Sequence, residues 1–278
     1  MSSNPLKNHF RQPQLYLKLP SQGKWWPKDS IDWPVTGELP VFSMTAKDEL
    51  ALKTPDALLN GQATVDVIQS CVPNIKNAWQ TPVVDIDAIL IAIRQATYGN
   101  DMEFVSVCPN CNNRNEHVAD LGYLSSALET PNFNEKIQIN DLEISIQPNN
   151  FETFNKNSIR NFEEQRLIQT VANDNISDEE KMLQFSKMFN TLLNITVEQV
   201  AASVIMIKTA DGQRVTDTDH IFEFFQNCDK EIFNAVKDRI DSISKDNKLS
   251  NIEVQCENEP CKHQYNAPLI FELSSFFG

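Results

Sequence analysis

Two short segments hold the residues whose types and spacing are best suited to chemistry. In FVSVCPNCNNRNEHVADL, Cys108 and Cys111 stand in CxxC spacing; in IEVQCENEPCKHQYNAPLIF, Cys256 and Cys261 are separated by four residues. In both, an apolar, strand-prone run leads into the pair, a polar turn lies between the cysteines, and a second strand-capable run follows. That is the plan of a zinc knuckle, a hairpin tip that aims two thiolates at one metal. Two knuckles complete a tetrahedral four-thiolate site with Zn–S distances of about 2.3 Å and no position left for water, so the predicted zinc is structural. The two pairs lie far apart in sequence, and the chain between them must therefore fold with its ends together. A metal there closes a long loop, where loop-closure entropy predicts a stabilising effect.

Other readings of these cysteines are specific. His117 or His263 could replace one sulfur as a ligand. Cys108 and Cys111 could form a redox pair, although such pairs normally sit at a helix N-terminus, and NNRNEHV after Cys111 reads as turn and strand. All four could be unrelated buried thiols. Cys71, before Val72-Pro73, and Cys228, after Phe222, Phe224 and Phe225, read as core residues, since neither has a His and carboxylate arrangement suited to a nucleophile. His9 and His220 read as surface or capping residues, and Glu116 and Glu257 as solvated charges.

The elements that must position these side chains can be read from local pattern. Residues 1–34 form a proline-rich, basic arm expected to be extended, either folded back or reaching an acidic neighbour. Residues 35–125 read as a helical lobe ending in the first knuckle, 126–250 as a mainly helical insert, and 251–278 as the second knuckle with an aromatic tail. Thr45 with Asp48 marks a helix start, Pro55 and Gly61 punctuate two short helices, and Gln62 to Cys71 reads as a third. Asp85 is expected to open a helix, apolar nearly all round and hence central, that Gly99 closes. Arg94 on it reads as a paired structural charge.

Phe104 to Val107 reads as a strand, and Asn140-Asp141 and Asp211-Gly212 as hairpin turns. Ser177 with Glu180, and Thr196 with Gln199, fit the capping box. Leu183, Met188, Phe189 and Leu192 are expected to supply a core stripe behind the first of these caps, and Ile232, Phe233, Val236, Ile240 and Ile243 to form one more amphipathic helix. The expected fold class is α+β: a mostly helical body with short β-hairpins, in which two knuckle hairpins come together as a split zinc ribbon.

Composition excludes several functions. With 24 Lys+Arg against 38 Asp+Glu the chain carries a formal charge of −14, which argues against broad attraction to nucleic acid or to an anionic membrane. The seven glycines are too scattered for a dinucleotide fingerprint or a phosphate-cradling loop. The longest apolar run, Ala88 to Ile93, is far short of a bilayer span. The opening MSSNPLKNHFRQPQ lacks the apolar stretch of a secretory signal, so a cytosolic product is expected, where cysteines serve as metal ligands or free thiols more often than in disulfides. Aromatic residues crowd the terminal segments. In isolation these aromatics read as core packing; because terminal segments order only when something holds them, Trp25, Trp26, Phe276 and Phe277 are also the residues expected to anchor contacts with a partner.

Several stretches in order resemble one group of proteins. They are LPSQGKWWP (19–27), GELPVFSMTAKDELALKTPDALLNG (37–61), Cys71-Val72-Pro73, DIDAILIAIRQATYG (85–99) and CPNC (108–111). Together with the second cysteine pair and the terminal Phe-Phe, they are similar to the baseplate hub and hub-assembly proteins of T-even-type contractile-tailed bacteriophages. The resemblance implies a late viral protein that binds other hub and tail proteins, in the virion baseplate or in the host cytoplasm during assembly, and it leaves room for several copies in a symmetric assembly. It supplies no catalytic residues, and no enzymatic activity is expected. The alternative is a zinc-ribbon factor that binds a polymerase or nucleic acid; only Arg114 and Lys262 lie close to the cysteines as cations, which weakens it.

Overall fold

The computed structural model describes residues 6, 10–54, 61–128, 132–173, 177–246, 252–267 and 276–277. In chain order, β1 (Pro13–Leu17), β2 (Leu39–Phe42), α1 (Ala46–Leu52) and α2 (Gln62–Cys71) come first. A 3₁₀ turn at Ala78–Gln80 precedes α3 (Val83–Tyr98), β3 (Asp101–Val107), β4 (Arg114–Asp120) and α4 (Leu121–Ala127). Then follow β5 (Ile137–Ile139), β6 (Leu142–Ile146), α5 (Phe151–Asn173), α6 (Asp178–Ala202), β7 (Val204–Lys208) and β8 (Arg214–Val215). The last are α7 (Thr218–Asn227), α8 (Lys230–Asp246), β9 (Ile252–Gln255) and β10 (Gln264–Ala267). The fold is mixed helix and sheet, and every strand pairing among the described residues is antiparallel.

The chain divides into two compact units, one of residues 1–78, 84–130 and 247–278, the other of 79–83 and 131–246. In the first unit, α3 presents Val84, Ile86 and the run Ala88 to Ile93 as buried residues. A helix apolar on nearly every side is stable only when covered on nearly every side. Gly99 follows its last turn at φ +90°, and its N–H donates to the Gln95 carbonyl. A Cβ at Gly99 would meet nothing within 4 Å, so Gly99→Ala is expected to cost about 1–2 kcal/mol through the left-handed backbone alone. Urea denaturation of the variant measures this, and an unchanged midpoint would contradict it.

Helix α3 begins at Val83, two residues before the expected start. Asp85 does not cap it. Its carboxylate is turned to the arm, where it accepts from the Ser21 N–H (2.8 Å), the Ser21 hydroxyl (2.5 Å) and the Trp26 indole N–H (2.7 Å). The described arm lies against its own unit: β1 pairs with β2, and Leu17, Leu19, Trp26 and Ile31 are buried. Arg11 adds a second anchor, donating to the Ser70 carbonyl at 2.6 Å and facing Asp48 at 3.5 Å. Thr45 and Asp48 form a reciprocal capping box at the start of α1. The expected helix between Pro55 and Gly61 falls outside the described residues.

The second unit is built on the sheet β5-β6-β7-β8. Asn140 takes φ +51° in the two-residue turn between β5 and β6, and Gly212 takes φ +84° in the longer 209–213 connection between β7 and β8. Ile144, Ile146, Val204 and Ile207 of the sheet share one core with Ile221 and Phe225 of α7 and Ile232, Val236 and Ile243 of α8. Ser177 and Glu180 cap α6 reciprocally. The second expected box does not form. Thr196 lies inside the continuous α6, where no backbone N–H is free to cap, and its hydroxyl donates to the Leu192 carbonyl at 2.9 Å. The expected core stripe is also corrected, because Leu183 and Phe189 are exposed. Burial on α6 is concentrated at its C-terminal end, at Ile195, Val200 and Ala201.

Candidate metal centre

Both cysteine pairs belong to the first unit. Strands β3 and β4 pair in register from Asp101–Asp120 to Val107–Arg114, which places Cys108 directly beyond the end of the ladder. The tip closes through two backbone hydrogen bonds, Cys108 N–H to Asn113 O and Asn112 N–H to Cys108 O, both 2.9 Å. Strands β9 and β10 pair from Ile252–Ala267 to Gln255–Gln264, and Cys256 N–H donates to His263 O at 2.9 Å. In both knuckles the residue after the second cysteine is left-handed, Asn112 at φ +57° and Lys262 at φ +45°. This conformation turns the chain sharply enough for both sulfurs to face the same point.

All four sulfurs converge. They lie within 4.8 Å of one another, with Cys108 and Cys256 buried and Cys111 and Cys261 half-buried. Tetrahedral thiolate coordination at about 2.3 Å requires sulfurs about 3.8 Å apart. Cys108–Cys261 at 3.9 Å and Cys111–Cys256 at 3.6 Å bracket that value. The donor set therefore fits a metal ion held by four cysteines. Burial pushes the Cys256 thiol up to about 12, while hydrogen bonding from the Asn113 backbone draws Cys111 down to about 7.

A polar network ties the two hairpins together behind the sulfurs. Tyr265 on β10 shares a hydrogen bond with Ser106 on β3 at 2.6 Å and accepts from the Asn115 amide on β4 at 2.9 Å. The Asn115 side-chain oxygen in turn accepts from the Glu257 N–H at 2.9 Å. Asn110 donates towards Cys261 Sγ at 3.3 Å. Hydrogen bonds to sulfur and to the ligand-bearing loops orient such donors. Sequence reasoning missed Asn115 and Tyr265, since an asparagine or tyrosine in a short strand carries no signal of a partner some 150 residues away.

The alternatives for these cysteines fare differently. The metal-capable cluster among the described residues consists of the four cysteines, without a histidine. His117 instead shares a hydrogen bond with Ser106 at 3.0 Å, and His263 stacks parallel to Tyr265. Cys111 leads into a turn and β4, not a helix. Cys71 is fully buried, and its thiol is pushed up to about 12, first by that burial and then by the Asp48 charge. Cys228 is half-buried and is also raised by desolvation. Glu116 and Glu257 are exposed. His220 lies beside Asp217, which caps α7, and His9 lies outside the described residues.

Of the aromatic residues expected at contacts, Trp25 is half-buried, at φ +66°, while Trp26 is buried against Asp85. Phe276 and Phe277 are buried and edge-on to one another. Arg94 donates to the Phe276 carbonyl and lies over the Tyr98 and Phe276 rings, while the Tyr98 hydroxyl donates to the Phe277 carbonyl at 3.0 Å. Arg94 thus engages rings and a carbonyl. A partner contact through Trp26, Phe276 or Phe277 would require these side chains to leave the places they occupy in this chain.

No described helix is long and apolar enough to cross a membrane. No curated protein and no solved structure gives a match. The family described as T4 bacteriophage base plate protein matches residues 14–278. That span takes in both cysteine pairs and all but the first 13 residues, and the chain belongs to that phage baseplate family.

Proposed function

We propose that this protein is a component or assembly factor of the baseplate hub of a contractile phage tail, acting by protein–protein binding around a structural zinc. Family membership over residues 14–278 carries the baseplate reading. The narrower assignment to the hub is supported by the segments at 19–27, 37–61 and 85–99 that resemble hub and hub-assembly proteins. Zinc is the metal best matched to four cysteine sulfurs at these separations. Bound there, it would hold Cys108 and Cys111 of one hairpin to Cys256 and Cys261 of the other. With four thiolates no coordination position is open to water or substrate, which favours a binding role over a catalytic one.

The places of action in this reading are the virion tail and, during assembly, the host cytoplasm. Mass spectrometry of purified particles, beside complexes captured from infected-cell lysate with this protein, tests it. A hub component appears in particles at a small fixed ratio to tail-tube and spike proteins; an assembly factor appears only in lysate, bound to hub proteins. Capture of polymerase or nucleic acid without any tail protein would refute the proposal.

A further inference from the structure

Helices α5 and α6 pack as an antiparallel pair, and the side of the pair that enters the core at one end continues uncovered towards the other. Phe154, Ser158 and Asn161 of α5 line one cleft together with Thr196 and Val200 of α6. Helical periodicity carries that side onward. Phe162 is one turn beyond Ser158, Phe189 two turns before Thr196, Leu193 two turns before Val200, and Met182 two turns before Phe189. Val200 is buried, yet Phe154, Phe162, Met182, Phe189 and Leu193 are 54–74% exposed.

We propose that this side of the α5–α6 pair is a self-association surface, on which a second copy of the same chain docks α6 antiparallel to α6 about a two-fold axis. Area supports an interface. Large apolar and aromatic side chains carry on the order of 200 Å² each, so five of them at these exposures offer about 600 Å². A standard interface takes about 800 Å² from each partner, so the five supply most of one share.

Complementarity supports a second copy as the occupant. Placing Met182 opposite Leu193 of the other copy sets Ser186 opposite Phe189, and the two-fold repeats both pairings, so each large ring faces a small side chain. Met182, Phe189 and Leu193 follow the seven- and four-residue spacing of a helix–helix seam. Charge supports it as well. Between Met182 and Val197 the single charged residue is Lys187, which periodicity places well away from the stripe. Along residues 183–196, which hold no Asp or Glu, two chains that each carry −14 can meet without bringing acidic side chains together. Aromatic residues and Met with few charges are also the composition of interface cores.

Sedimentation equilibrium tests the proposal on the full chain. At roughly 20 µM, well above a micromolar dissociation constant, the wild type is expected at twice the 31.6 kDa chain mass. The double variant Phe189→Glu/Leu193→Glu is expected at one chain mass, with unchanged circular dichroism because both side chains are already exposed. Met182→Glu alone should weaken association at least tenfold, and Val35→Glu, at an exposed site in the other unit, should leave it intact. A wild type at one chain mass would overturn the proposal. So would a dimer that survives both stripe variants, a dimer lost equally in Val35→Glu, or a wild type that gains mass only with another baseplate protein.

Discussion

Removing the proposed zinc from the four-cysteine centre is expected to unfold the knuckles and to lower the melting temperature by roughly 10 °C or more. Apparent binding free energies of structural zinc reach about 10–16 kcal/mol in small zinc domains, and that binding energy is folding energy. Retaining even half of it here would move the transition of a domain this size by roughly 10 °C or more. Each hairpin is a two-stranded sheet, marginal by itself, and among the described residues a short polar network through Tyr265, Ser106, Asn115 and the Glu257 N–H links them. Freshly purified protein should contain about one zinc per chain, and a content below about 0.2 would sink the site. Cys256→Ser should reproduce the effect of a strong chelator, and chelator added to that variant should do nothing more. Hydrogen exchange should show the loss at β3, β4, β9 and β10, with α7 and α8 retaining protection from their own core.

The second large effect is expected at Asp85. Its carboxylate is fully buried and accepts three hydrogen bonds from the arm, two from Ser21 and one from Trp26. Asp85→Ala leaves the Ser21 N–H and the Trp26 indole N–H buried without an acceptor, at about 1–3 kcal/mol for each. A total on the order of 3 kcal/mol is expected, with Trp26 fluorescence shifting red and the arm open to proteolysis near Lys24 and Lys28. Asp85→Asn keeps one acceptor oxygen and should lose less.

The pH dependence has a definite sign. Burial raises the native pKa of Asp85 above its ordinary 3.8. The folded state therefore binds the proton more tightly than the unfolded chain. This group's contribution is full below pH 3.8 and declines as pH rises through the native value. Asp85→Asn should remove that slope from denaturation midpoints measured across the range. A variant as stable as wild type, with an unchanged slope, would show that the clasp does not hold the arm.

Much of the local structure was readable because its causes lie within a few residues. Thr45 and Ser177 start helices because a hydroxyl can reach an N–H three positions on. Gly99 and Gly212 mark a helix end and a turn because they tolerate positive φ. The knuckles were readable because cysteine spacing and flanking strand propensity act together over about ten residues. The same local signals misled where the side chain had another partner or no free backbone group to serve. Asp85 looks like a helix start, and Thr196 with Gln199 looks like a cap, yet one serves the arm and the other lies in mid-helix.

Periodicity likewise identified apolar positions in α6 but not what covers them. Leu183 and Phe189 satisfy the pattern of a core stripe and remain exposed, whereas Ile195 and Val200 on the same helix are buried. From residue order alone came the α+β class, the hairpin positions, the four cysteines and the acidic balance, each set by backbone conformation or side-chain chemistry within a short span. The convergence of the four sulfurs, expected from the paired spacings, is present; tertiary structure alone decided that Asn115 and Tyr265 join the two hairpins and that Arg94 and Tyr98 hold Phe276 and Phe277. Those outcomes depend on which surfaces exclude water together across more than a hundred residues of chain, and no local signal encodes that.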